Sequence, residues 1–134
     1  MIAPDTSVLI AAFATWHDGH ESAVLALNRG VRLIAHTALE TYSVLTRLPP
    51  PHRVEPGAVH AYLADLTSSD YLTLDARSHR GLIDHLAQHG VTGGATYDAL
   101  VGLTAKAAGA RLLTRDVRAV TTYERLRLEF ELVT

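Results

Sequence analysis

The strongest constraint on how this chain folds is an alternation. Short apolar or β-branched runs are separated by longer stretches whose apolar residues recur at helical spacing. The runs are Met1 to Pro4, Val31 to Ala35, Tyr71 to Leu74, Arg111 to Thr114 and Phe130 to Val133. Such a pattern predicts an α/β domain built on a parallel sheet, with these five segments as candidate strands. Two helices are expected between the first two, in "SVLIAAFA" and "HESAVLALNRG", the second stopped at Gly30. "TALETYSVLTRL" follows at helical period and ends at the prolines of "PPPHRVEP". Further helices are expected in "PGAVHAYLADL", in "SHRGLIDHLAQHG" and after "VTGG". The last carries small residues, Ala99, Gly102, Ala105 and Ala108, that permit close packing, with Gly102 its weakest helical position.

With 134 residues, the expectation is one domain over 1–134 with an ordinary core. The absence of cysteine excludes a disulfide framework and fits a reducing compartment, so a cytoplasmic location is expected. No apolar run approaches the roughly 20 residues of a membrane span, and no signal-peptide pattern opens the chain, so it reads as soluble. A formal net charge of −2 argues against gripping nucleic acid by bulk electrostatics. Lys106 is the only lysine, and the other cations are arginines, whose planar fork suits phosphate.

Four acids stand at comparable places. Asp5 follows the first run, Glu40 lies just past the second, Asp98 is near the start of the long helix, and Asp116 follows "RLLT". Each has an ordinary structural role open to it, since acids are favoured at helix N-termini. For Glu40 that role is specific, because Thr37 to Glu40, "TALE", fits a capping box. Asp116 is a helix cap before "VRAVTTYERL", and Asp5 suits an Asx turn with Ser7. Capping gives no reason for the four to converge, however, whereas the carboxyl ends of parallel strands share one sheet edge. Converging carboxylates repel, so protons or a cation must relieve them. A hard divalent ion such as Mg²⁺ or Mn²⁺ takes oxygen ligands and suits phosphodiester hydrolysis. Thr6, Ser7, Thr96 and Thr114 lie beside the acids, placed to orient a carboxylate or to cap backbone.

The segments "DTSVLIA", "ALETYSVLTRLP", "TYDALVGLTAKAAGARLLTRD" and "YERL…EFELV" together resemble the PIN-domain family, and within it the VapC toxins of VapBC toxin-antitoxin pairs. The resemblance spans nearly the whole chain and matches the order and spacing of all four acids. It implies a three-layer α/β/α domain with a central parallel sheet and a Mg²⁺- or Mn²⁺-dependent endoribonuclease leaving a 5′-phosphate and a 3′-hydroxyl. On the family pattern Asp5 and Asp98 are the central metal ligands, and Glu40 and Asp116 complete or tune the site. Thr114 matches the hydroxyl residue that accompanies the last acid, with Thr6 a further supporting residue. The resemblance also implies a homodimer and a cognate VapB-type antitoxin that lies across the groove. Arg47 and Arg115 are candidate RNA contacts, with solvated surface or local charge balance as their ordinary roles.

Other chemistries are less well served. Eight histidines include "HDGH" and "HLAQH", but HExxH and cysteine ligands are missing, so zinc is not expected. No G-x-S-x-G elbow is present. Phe13, Trp16 and the five tyrosines form no aromatic and basic series of the kind that stacks bases, and are expected in core or interface. Two alternatives stay open: a PIN-like module that binds RNA or antitoxin without cutting, and a phosphatase with an aspartate nucleophile at "DTS". In the latter Ser7 stands where a second acid is usual.

Overall fold

The computed structural model describes residues 1–134. In chain order the elements are β1 (Ile2–Pro4), α1 (Thr6–Phe13), α2 (His20–Leu27), α3 (Ala35–Thr46), α4 (Pro56–Leu66), α5 (Ala76–Arg80) and α6 (Leu82–Gln88). They continue with α7 (Ala95–Ala107), β2 (Arg111–Thr114), α8 (Val117–Arg125) and β3 (Phe130–Leu132). The strands form a parallel sheet in the order β1-β2-β3, in register Ala3 to Leu112 and Leu112 to Phe130. Side chains alternate across it. Ala3 and Leu112 face a core with Ala99, Val101 and Ala105 of α7 and Tyr123 of α8, while Leu113 faces a second core built from α1 to α4. Helices therefore cover both faces, which gives the three-layer arrangement.

The sheet has three strands rather than about five. Val31 to Ala35 and Tyr71 to Leu74 do lie where strands were expected, but they meet in a single parallel bridge, Ile34 to Leu72. Leu72 N donates to Leu33 O at 2.7 Å and Ala35 N to Leu72 O at 2.9 Å, after which Ala35 has already begun α3 and no partner remains. On the other side, Arg32 N donates to Ile2 O at 3.0 Å. The reciprocal bond would come from the nitrogen of Pro4. Asp5 N and Met1 O are both engaged with β2, so strand alternation turns Ile2 and Pro4 the opposite way. Proline has no N–H, and the ladder between β1 and this segment cannot close.

Helix boundaries follow local chemistry. Gly30 and Gly90 both take positive φ, 83° and 65°, and turn the chain after α2 and α6 as expected. The single helix expected over "SHRGLIDHLAQHG" is instead two short ones, α5 and α6, meeting at Gly81. Gly102 does not interrupt α7. A Cβ there would stand 2.2 Å from Leu128 Cδ1 and 3.4 Å from Tyr123, so glycine is what lets α8 and the chain after it close on α7.

Candidate active site

Because β1 and β2 are parallel, the residues after each emerge at the same edge of the sheet. Asp5 follows β1 and caps α1, accepting from Ser7 N at 3.0 Å and Val8 N. Asp116 follows β2 and caps α8, accepting from Arg118 N at 3.0 Å. Both acids hold the capping role read from the sequence, and the same geometry aims them at one place. Asp98 projects from the first turn of α7. Glu40 lies in the second turn of α3 and is no cap: α3 begins at Ala35, and Thr37 Oγ1 donates to Ile34 O at 2.9 Å. The capping box expected at "TALE" does not form. Glu40 Oε1 instead accepts from Thr6 Oγ1, which ties α3 to the start of α1.

All four acids line one small cavity of about 60 Å³, together with Thr6, Ser7, Tyr97, Val101 and Tyr123. Asp5 is the most buried of the four acids, 6% exposed. Its Oδ1 also accepts from Ser7 Oγ, and its Oδ2 from Tyr123 OH at 3.2 Å. Burial pushes its pKa up, and hydrogen bonds from Ser7, Thr114, Val8 and Tyr123 oppose that rise. With both oxygens engaged, Asp5 is poorly disposed to act as the free nucleophile of a phosphatase. Burial and the neighbouring carboxylates push the Tyr123 hydroxyl up, which keeps it protonated and able to donate. Thr114, fully buried, accepts from Asp116 N at 3.0 Å and donates toward Asp5, linking the ends of β1 and β2.

Asp98 is different. Its pKa is pushed up to about 6, first by burial and then by Asp116, Asp5 and Glu40, and no hydrogen bond contributes to holding its charge. Arg118, whose Nε stands 3.6 Å from Asp116 Oδ1, offsets this rise only in part. The donor set is hard oxygen throughout, which fits Mg²⁺ or Mn²⁺ better than a softer ion. No three of the acids are grouped closely enough to hold one ion among them as the side chains stand.

The two candidate RNA-binding arginines stand outside this cavity. Arg115 N donates to Ser7 Oγ at 2.8 Å, while its guanidinium packs on Gly19 and donates to Val133 O at 3.1 Å and Ser22 Oγ at 3.4 Å. It works as a strut between α2 and the end of β3. Arg47 follows the other end of α3, exposed, with Nη1 donating to Ser43 Oγ at 3.3 Å. Two polar cavity residues were not singled out from the sequence: Tyr97 and Tyr123. Neither carries a charge or spacing signal, and their only mark is adjacency to "D98" in "TYDAL" and a place in "YERL".

A family model described as PIN domain matches residues 2–124. Ribonuclease VapC40 of Mycobacterium tuberculosis (strain ATCC 25618 / H37Rv) is 81% identical over 134 residues, covering 100% of both chains. Ribonuclease VapC27 of the same strain is 43% identical over 127 residues, covering 93% of this chain and 91% of the relative. Among solved structures, FitAcB from Neisseria gonorrhoeae superposes with a TM-score of 0.70 at 21% identity, over 97% of this chain and 96% of that one. FitAB bound to an IR36 DNA fragment gives 0.73 at 18% identity, over 98% and 94%. At those identities the likeness concerns the fold.

Proposed function

The chain belongs to the PIN domain family and, within it, to the VapC-type toxins, and from that membership we propose that it is a divalent-metal-dependent endoribonuclease held in check by a VapB-type antitoxin. The observation that carries the proposal is the gathering of four carboxylates from four separate elements into one cavity, with Asp98 left without a hydrogen-bonding partner. Asp5 and Asp98 would hold Mg²⁺ or Mn²⁺, with Glu40 and Asp116 completing the site directly or through water. A bound ion would supply water activation and would neutralise charge on the phosphoryl oxygens and the leaving group.

The chain's own groups do the positioning. Ser7, Val8 and Tyr123 fix the Asp5 carboxylate in one orientation. Thr6 holds Glu40, and Thr114 holds the turn that presents Asp116. The cavity is acidic, so an RNA phosphate is repelled until positive charge is present. A single PIN-like domain over 1–134, acting in the cytoplasm as a homodimer, completes the reading. The one-domain part of this reading is supported by full-length similarity to named ribonucleases, and no helix is long and apolar enough to cross a membrane.

The decisive experiment follows cleavage of total RNA by the purified chain with Mg²⁺, with Mn²⁺ and with EDTA, beside Asp98→Asn. Metal-dependent cleavage that drops by at least about 100-fold in a folded Asp98→Asn protein is the expected result. Equal activity in the two proteins, or activity that survives EDTA, would sink the proposal.

A further inference from the structure

Beside the carboxylates stands an aromatic arrangement made by tertiary contact alone. Tyr97, one residue before Asp98 on α7, lies parallel to His36 in the first turn of α3, with ring centroids 5.5 Å apart and planes within 5°. Tyr97 lines the acid cavity yet is 57% exposed. It belongs to neither hydrophobic core. A large ring left in water at the mouth of a reactive cavity is not explained by packing, and parallel rings are a surface onto which a third flat ring adds readily.

The electrostatics say what kind of ring that is. RNA approaching four carboxylates on a chain of net charge −2 gains little from its phosphates near the cavity. Of the two arginines flanking Asp116, Arg115 is committed to Ser22 and Val133, and the exposed Arg118 lies 3.6 Å from the Asp116 carboxylate. Charge contacts to a phosphate carry no hold on the base beside it, and base stacking is a contact that supplies one without charge. We infer that Tyr97 and His36 form a nucleobase platform at the rim of the acid cavity, on which an unpaired base of single-stranded RNA stacks while its neighbouring phosphodiester sits over the carboxylates. The inference rests on the ribonuclease reading and deepens it by naming where the substrate is held.

The test uses the full chain in two forms. In the cleavage-deficient Asp98→Asn protein, short single-stranded oligoribonucleotides carrying 2-aminopurine at successive positions are titrated, since the fluorescence of this base is quenched on stacking. Quenching at a preferred position is expected, retained in Tyr97→Phe and lost in Tyr97→Ala, whose Kd rises about 5- to 150-fold. With Asp98 intact, Tyr97→Ala should raise KM by a similar factor, while Tyr97→Phe and His36→Phe, which keep a flat ring, stay near wild type. Thermal unfolding of each variant shows that the fold is kept. Wild-type RNA affinity and KM in Tyr97→Ala would overturn the platform while leaving the nuclease standing. Loss of antitoxin binding in Tyr97→Ala with RNA binding unchanged would also overturn it, by assigning the rings to a protein contact. Absence of metal-dependent cleavage in the wild type would remove the ribonuclease reading itself, and the platform with it.

Discussion

Asp98 carries a free-energy penalty that Arg118 relieves only in part. Its pKa is raised from 3.8 to about 6 by burial and three neighbouring acids, so the folded chain holds this proton more tightly than the unfolded chain does. Its contribution to stability therefore declines as pH rises from about 4 to about 6 and is flat above that. Discounted for partial exposure, the penalty near neutral pH is about 1–2 kcal/mol. Asp98→Asn should accordingly raise the melting temperature of the metal-free protein by about 3–8 °C at about pH 7.5 and leave it almost unchanged at about pH 4. Thermal unfolding in EDTA at both pH values checks this, and a lower melting temperature at neutral pH would mean that Asp98 is structural. Ser7 is the opposite case. Its hydroxyl donates to Asp5 and accepts from Arg115 N, so Ser7→Ala strips a buried carboxylate of a donor and leaves a backbone N–H unpaired. A loss of about 1–3 kcal/mol is expected, seen as a lower denaturation midpoint with unchanged slope.

Among the elements, α7 joins the core to the site. Its Gly102 lies against Leu128 and Tyr123, and Tyr123 in turn donates to Asp5. In Gly102→Ala the new methyl must displace Leu128. If Leu128 stays, the contact is overpacked. If it swings into the shallow notch lined by Gly102, Lys106 and Arg127, it gives up burial. Either route outweighs the gain of about 1 kcal/mol in helix propensity, for a net loss of about 1–2 kcal/mol. Cleavage should fall as well, because the Tyr123 ring is the next group to move. Unchanged stability and activity in Gly102→Ala would show that this contact yields freely. The strand β1 shows the same dependence of an element on one atom: Pro4 lacks the N–H that a fourth strand would need, so β1 is flanked on one side by a single hydrogen bond.

For the molecule as a whole, four like charges at one sheet edge would couple the proposed metal binding to stability. An ion that binds only the folded chain stabilises it by mass action, by about 2.7 kcal/mol when its free concentration is about 100 times Kd. Mg²⁺ should therefore raise the melting temperature of the wild type and have little effect on Asp98→Asn, which has lost both a ligand and the charge. A calorimetric titration of melting temperature against Mg²⁺ for the two proteins checks this. Equal shifts would place the ion elsewhere. The organisation responsible is topological, since parallel β1 and β2 bring Asp5 and Asp116 to one edge although 111 positions separate them in the chain.

The sequence by itself determined the α/β class, the parallel direction of the strands, most helix ends and the four acids, because each of these is written in local periodicity, capping chemistry or the order of a family motif. Asp5 and Asp116 were readable as caps and as candidate site residues at once, since a strand end that becomes a helix start allows both. Only the tertiary structure decided the rest. The capping box at Glu40 gave way because α3 starts at Ala35 and Thr6 on another helix takes the carboxylate. Two expected strands shrank to a bridge because ladder bonds need partners on both sides, and Pro4 and the early start of α3 remove them. The stack of Tyr97 on His36 and the hydroxyl of Tyr123 on Asp5 join residues 61 and 118 positions apart, through contacts that leave no periodic trace along the chain. Local rules fix where a helix or strand begins, but what a side chain touches depends on which elements the folded core brings beside it.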